Sequence, residues 1–99
     1  MALERGSAFR RAGDPDMKIH VRYFASLREA LGPAESIDIP HGATVADARA
    51  LLRTRSARHA EVLAPGRAVR AALDQAMVQE ASPLCEGAEL AFFPPVTGG

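Results

Sequence analysis

Hydrophobic and polar residues alternate strictly from Met17 onward. In "MKIHVRYFA", Ile19, Val21 and Tyr23 fall on one side and Lys18, His20 and Arg22 on the other. That period of two predicts a half-buried strand. In "SLREALG" the spacing changes: Leu27, Ala30 and Leu31 recur at helical intervals, and Gly32-Pro33 stops them after one or two turns. Alternation returns in "ESIDIP" through Ile37 and Ile39, a second strand closed by Pro40 and the His41-Gly42 turn.

"TVADARALLRTRS" reads as the main helix. Thr44 stands at the N-cap with Asp47 three residues on, an Asp version of the capping box whose charge also suits the helix dipole. Val45, Ala48, Leu51 and Leu52 make its apolar stripe, and Asp47, Arg49 and Arg53 are expected to face water. "SARHAEVLAPG" predicts one more short turn before Pro65-Gly66. "AVRAALDQAMV" predicts a strand with Val69, Ala71 and Leu73 inward, a tight turn at Asp74-Gln75 and a short strand at Met77-Val78. A loop anchored by Leu84 leads to the last strand, "AELAFFP", with Leu90 and Phe92 on one face and Ala91 and Phe93 on the other. The order β, short α, β, long α, β, β, β predicts an α+β domain, a mixed sheet packed on one main helix. The two-layer roll with that order is the β-grasp, the ubiquitin-like shape.

Residues 1–16 show no hydrophobic period and carry three arginines and three acids, so they read as a flexible extension rather than a targeting peptide. The domain then covers residues 17–93 and an extended tail residues 94–99. The chain's 99 residues suffice for one core. Its formal net charge of zero lends no support to a nucleic-acid or membrane-surface role. A single cysteine, Cys85, precludes an intrachain disulfide and fits the reducing cytoplasm, which is the expected location. Charge is uneven along the chain, however. Six arginines lie between Arg49 and Arg70 against Glu61 alone, whereas Asp74, Glu80, Glu86 and Glu89 follow Ala71 without a single Lys or Arg. Solvated faces explain that pattern, and so does a final third that approaches a basic partner.

No complete active site is visible. Cys85 sits beside an acid, which raises rather than lowers a thiol pKa, and reads as a buried or half-buried structural thiol. His20, His41 and His59 are scattered; His59 is expected on the surface, and no metal site is expected. Glu35 and Asp38 lie on the first hairpin with no apolar pocket implied to tune them apart. The glycines outside the tail are isolated, so no phosphate cradle forms.

The tail "FFPPVTGG" is different. Pro94-Pro95 cannot extend a strand ladder and sends the chain out stiff and extended. Gly98 and Gly99 carry no side chain and fit a channel only as wide as a backbone. The six residues from Pro94 to Gly99 reach at most roughly 20 Å, and they carry a terminal carboxylate at the tip. ATP can turn a carboxylate into an acyl-adenylate, which a sulfur nucleophile can open.

"MKIHVRYFASLREALG" and "LCEGAELAFFPPVTGG" closely resemble the ends of the small subunits of molybdopterin synthase, a family of sulfur carriers; the resemblance covers Met17 to Gly99. It implies a β-grasp fold and a hand-over mechanism. A ubiquitin-activating-like adenylyltransferase would use ATP to adenylate Gly99, and a persulfide sulfur donor would convert the adenylate to a thiocarboxylate. The tail would then enter the large synthase subunit, in a likeness that implies a heterotetramer, and pass sulfur to a cyclic pterin precursor for molybdenum cofactor biosynthesis. Gly99 would be the reactive residue, Gly98 its narrow neighbour, and Phe93, Pro94, Pro95, Val96 and Thr97 the docking segment. No cofactor bound to the chain is implied. Two other readings stay open: a carrier for another pathway such as thiamine, or a ubiquitin-like modifier, and a β-grasp interaction module with an inert tail. Lys18, the only lysine, gives poor support to chain-building through the protein's own lysines.

Overall fold

The strand that ends the domain lies at the middle of its sheet. The computed structural model describes residues 16–94. Its elements are β1 (Met17–Tyr23), α1 (Ala25–Leu31), β2 (Ala34–Ile39), α2 (Val45–Arg53), α3 (Ala57–Val62), β3 (Arg70–Leu73), β4 (Ala76–Val78) and β5 (Glu89–Phe93). The sheet order is β2-β1-β5-β3-β4. β1 pairs antiparallel with β2 and parallel with β5, while β3 is antiparallel to both β5 and β4. The mixed sheet packed on helices is the expected β-grasp roll, with α3 as a short third helix where one more turn was predicted.

Alternation fixes which face of each strand is buried. Along β1, Met17, Ile19, Val21 and Tyr23 are buried and the residues between them exposed. Ile37 and Ile39 of β2, and Leu90 and Phe92 of β5, bury the same face. Val45, Ala48 and Leu52 of α2 close over it, with Leu63 and Leu84 sealing the ends. Val69 and Leu73 pack against this core as predicted, only partly buried. The α2 capping box is formed: Asp47 N donates to Thr44 Oγ1 at 3.2 Å, and Thr44 N donates to Asp47 Oδ2 at 2.9 Å.

The β3–β4 turn falls at Asp74-Gln75, where both residues have positive φ, 49° and 73°. Asp tolerates that conformation, and here it is tied down twice. Asp74 N donates to Glu89 O at 2.8 Å, and Asp74 Oδ1 accepts from Glu89 N at 2.9 Å. The small hairpin is thereby fastened to the start of β5.

Three expectations fail. Arg49, expected to face water, is 6% exposed. Its Nε donates to Leu63 O at 2.8 Å, its Nη2 to the carbonyls of Ala64 and Arg67, and its Nη1 pairs with Glu80. The turn after α3 leaves carbonyls without helical partners, and an arginine fork satisfies several of them at once. Cys85, expected to be at least half buried, is exposed, because Leu84 beside it takes the inward position in the loop. His59, expected on the surface, has a side chain only 13% exposed and is bonded to Glu35.

Arg49→Ala should therefore cost about 2–3 kcal/mol, because buried carbonyls lose their donors. Thermal melting should show a fall of roughly 10 °C or more, while Glu80→Gln should shift it little because that carboxylate is half exposed. Equal losses from the two variants would mean that the ion pair, not the carbonyl clamp, matters.

Candidate functional site: the root of the tail

Phe92 and Phe93 leave the sheet on opposite faces. Phe92 is 1% exposed in the core, paired in register with Tyr23 and stacked on its ring with centroids 6.4 Å apart. Phe93 is half buried on the outer face, edge-to-face with Phe24 at 6.2 Å. Phe24 N donates to Phe92 O at 3.1 Å and Arg70 stands opposite Phe93, so β5 is held by both neighbours up to the residues just before Pro94.

The outer face around this point is apolar at its centre and charged at its edge. Phe24, Ala72, Ala91 and Phe93 line a shallow depression of about 390 Å³, bordered by Arg22, Gln75 and Glu89. Phe24 (38% exposed) and Met77 (56%) are the large hydrophobic side chains left open to solvent among the described residues. Met77 stands opposite Ala72 in the ladder, and Ala72 opposite Ala91, so the apolar strip continues across to β4. The guanidinium of Arg22 lies 5.4 Å from the Phe24 ring centroid. Ala25, immediately after Phe24, has φ 53°, a left-handed conformation that costs about 1–2 kcal/mol with a side chain present. That strained turn lets α1 start at once while Phe24 stays on the outer face.

Behind the sheet, Glu35 collects three donors. Tyr23 Oη donates to Oε2 at 2.6 Å, His59 Nε2 lies 2.7 Å from the same oxygen, and Arg55 Nη1 donates to Oε1 at 2.6 Å. An ionised carboxylate only accepts, so Nε2 carries the hydrogen, while Nδ1 lies 2.8 Å from Ser56 Oγ, which orients the ring. Burial works to raise the Glu35 pKa, but the hydrogen bonds from Tyr23, His59 and Arg55 outweigh it and hold the carboxyl below its usual range. Desolvation, then the Glu35 bond and charge, push the Tyr23 phenol far up, so it stays a donor.

Of the site residues predicted from sequence, Phe93 and Pro94 sit at the exit of the central strand. Pro95, Val96, Thr97, Gly98 and Gly99 lie outside the described residues. Sequence reasoning missed Phe24 and Met77, although Phe24 continues the outward alternation of β1 and could have been found as Phe93 was. It also missed the Glu35 cluster, whose members are up to 36 positions apart in the chain, from Tyr23 to His59. All four acids after Ala71 have partners within the chain: Glu80 pairs with Arg49 and Glu89 with Arg22, while Asp74 and Glu86 accept from the backbone N–H of Glu89 and Lys18. Among the described residues no cluster of His, Cys, Asp or Glu could hold a metal ion, and no helix is long and apolar enough to cross a membrane.

A mixed five-stranded sheet with β5 at its centre, packed on helices, defines the class as a ubiquitin-like domain. The ThiS family matches residues 21–99, so the chain belongs to that family. Over 81 residues it is 40% identical to the molybdopterin synthase sulfur carrier subunit of Escherichia coli strain K12, covering 82% of this chain and 99% of that protein. The structure of SAMP1 from Haloferax volcanii, a small archaeal modifier protein, superposes with a TM-score of 0.70 at 26% identity, covering 83% of this chain and 99% of that one. The chain also matches the fold of a structure of subunits 1 and 2 of the molybdopterin-converting factor from Helicobacter pylori, with TM-score 0.59, 23% identity, and 84% and 100% coverage. The likeness read from the two ends of the sequence, and the β-grasp fold it implied, are borne out.

The two phenylalanines should separate cleanly on mutation. Phe92→Ala should lose about 3–5 kcal/mol of stability, whereas Phe93→Ala should lose no more than about 1.5 kcal/mol, the worth of its edge contact with Phe24. Denaturant unfolding of both variants checks the assignment, and a reversed order would overturn it.

Acid should expose the role of Glu35. Its folded-state pKa is depressed, so its contribution is complete above the unfolded carboxylate range and disappears as pH falls through the folded value. Glu35→Gln should be less stable than the parent by about 1–3 kcal/mol near neutrality. The two unfolding curves should converge below the folded pKa. A constant gap down the whole acid limb would show that the carboxylate charge is irrelevant.

Proposed function

We propose that the protein is the sulfur-carrier small subunit of a molybdopterin synthase and that Gly99 carries the sulfur as a thiocarboxylate. The observation that carries this reading is a family match running through residue 99, on a chain 40% identical to a sulfur carrier subunit over nearly the whole of that relative. The root of the tail supports it physically. β5 is hydrogen-bonded on both edges, so the segment after Pro94 starts from a fixed point on a fixed face. A carrier needs that, because the partner must find the carboxylate at a set distance from the surface it grips.

In this reading the Gly99 carboxylate attacks the α-phosphorus of ATP in a ubiquitin-activating-like enzyme, and pyrophosphate leaves. A persulfide donor attacks the acyl carbon and AMP leaves; a thiol then attacks the donor's own sulfur in the acyl disulfide, forming a disulfide with the donor and freeing the thiocarboxylate. The outer face around Phe24, Phe93 and Met77 seats the large subunit, with which the chain forms a heterotetramer. The tail delivers its sulfur there to a cyclic pterin precursor. Gly98 and Gly99 admit the tip to a narrow channel, while Pro95, Val96 and Thr97 span the approach. ATP is consumed by the activating enzyme, and the work takes place in the cytoplasm.

The likeness to SAMP1 keeps a second reading in view, in which the activated carboxyl is joined to a lysine of another protein. Intact-mass measurement after incubation with the activating enzyme, ATP and a sulfur donor separates the two. Replacement of one oxygen by sulfur supports the carrier; isopeptide-linked conjugates in place of it support the modifier; an unchanged mass supports an inert module.

Removing Gly99 draws the carboxylate back by about 3.5 Å. Misplacement by even 1 Å can lose on the order of 100-fold in rate, so the shortened chain should melt normally and yield no active synthase. Full turnover by the shortened chain, reconstituted with the large subunit and a pterin precursor, would sink the assignment of Gly99.

A further inference from the structure

We propose that Glu35 is a positioning residue for docking, acting through Tyr23 and Phe92 to hold the Phe24–Phe93 pair in the arrangement that the partner grips. The proposal rests on the carrier reading above and adds a residue on the far side of the sheet to the docking machinery. Glu35 makes no contact with the outer face itself, and the tail chemistry has no use for it.

The connection is contiguous. Arg55 and His59, from the segment joining α2 to α3 and from α3 itself, hold Glu35 from one side. Arg55 Nη2 also donates to Ser36 O at 3.1 Å, which fixes the strand that carries Glu35. Glu35 in turn fixes the Tyr23 hydroxyl at 2.6 Å. The Tyr23 ring lies against Phe92 in stacked orientation and against His59 edge-on, each with centroids 6.4 Å apart. Phe92 and Tyr23 are cross-strand partners, and the residue after each is a member of the outer pair. Because neighbouring side chains on a strand point to opposite faces, a turn of the strands that reoriented Tyr23 and Phe92 behind the sheet would reorient Phe24 and Phe93 in front. The strained backbone at Ala25 makes Phe24 the member with the most to gain from such a turn.

Cutting the network should therefore alter docking without altering chemistry at the tip. Full-length, thiocarboxylated carrier is titrated as the varied substrate of the large subunit. Glu35→Ala should raise the KM for carrier roughly 3- to 10-fold, the scale at which a packed network transmits coupling. Its kcat should stay within about 2-fold, because the reacting atom is untouched. Tyr23→Phe, which removes one hydroxyl and leaves the fold, should move KM the same way. The double variant should be no worse than Glu35→Ala alone if both act along one line. Ile37→Val loosens the core of the same strand without touching the network and should leave KM where it was.

A second measurement does not depend on the carrier reading. In solution NMR the ring-to-ring contact between Phe24 and Phe93 should weaken in Glu35→Ala and in Tyr23→Phe, and persist in Ile37→Val. Persistence of the contact in the first two, an unchanged KM, or an equal KM rise in Ile37→Val would overturn the proposal. Should the unmodified carrier itself fail to drive the synthase, the carrier reading falls, and the ring contact alone decides whether Glu35 positions the pair.

Discussion

β5 is paired on both sides, and most of what matters in this molecule follows from that. Its parallel pairing with β1 joins the last element of the described residues to the first, and its antiparallel pairing with β3 joins it to the hairpin. An edge strand with a free carboxyl end could fray; a central strand ends only where its two neighbours let it. Pro94 then closes the ladder chemically, since it has no N–H to donate. The tail consequently begins at a fixed point, and a tail used as an arm needs a fixed shoulder.

The two faces of β5 divide the work. Leu90 and Phe92 spend their apolar area on the core, where burial of such side chains is worth about 1.5–3 kcal/mol each. Ala91 and Phe93 leave theirs on the outside, continuous with Ala72, Phe24 and Met77. Scattered exposed hydrophobics need no explanation, but a strip running across three strands does. Surface ion pairs such as Arg22–Glu89 add little stability there; they frame the apolar strip with charge.

Polar groups on the helical side are handled by two devices of the same kind. Arg49 presents a fork of donors to carbonyls that no helix satisfies, and Glu35 presents acceptors to three donors from three segments. Both turn what would be a desolvation cost into a tie between distant parts of the chain. One fastens the connection between α3 and β3; the other fastens α3 to the end of the sheet from which the tail departs.

Much of this was legible in one dimension because short-range physics dictates it. Alternation in "MKIHVRY" and "ELAFF" decided which residues face inward, Thr44 and Asp47 decided where α2 starts, and Pro94-Pro95 decided where the sheet must end. Each depends on residues a few positions apart. The errors were of another kind. On a helical wheel Arg49 flanks the apolar stripe, four residues after Val45 and three before Leu52; its charge argued for water, and the carbonyls of residues 63–67 folding across it made it a buried clamp instead. Leu84 is the loop's buried anchor, as expected, but the orientation of Cys85 beside it depended on what the loop met. His59 and Glu35 became partners because α3 packs at the end of β2, a fact of tertiary arrangement that no local pattern encodes. Sequence decides what each segment must bury; tertiary structure alone decides which polar groups end up together, because hydrogen-bond partners are chosen by proximity in space and not along the chain.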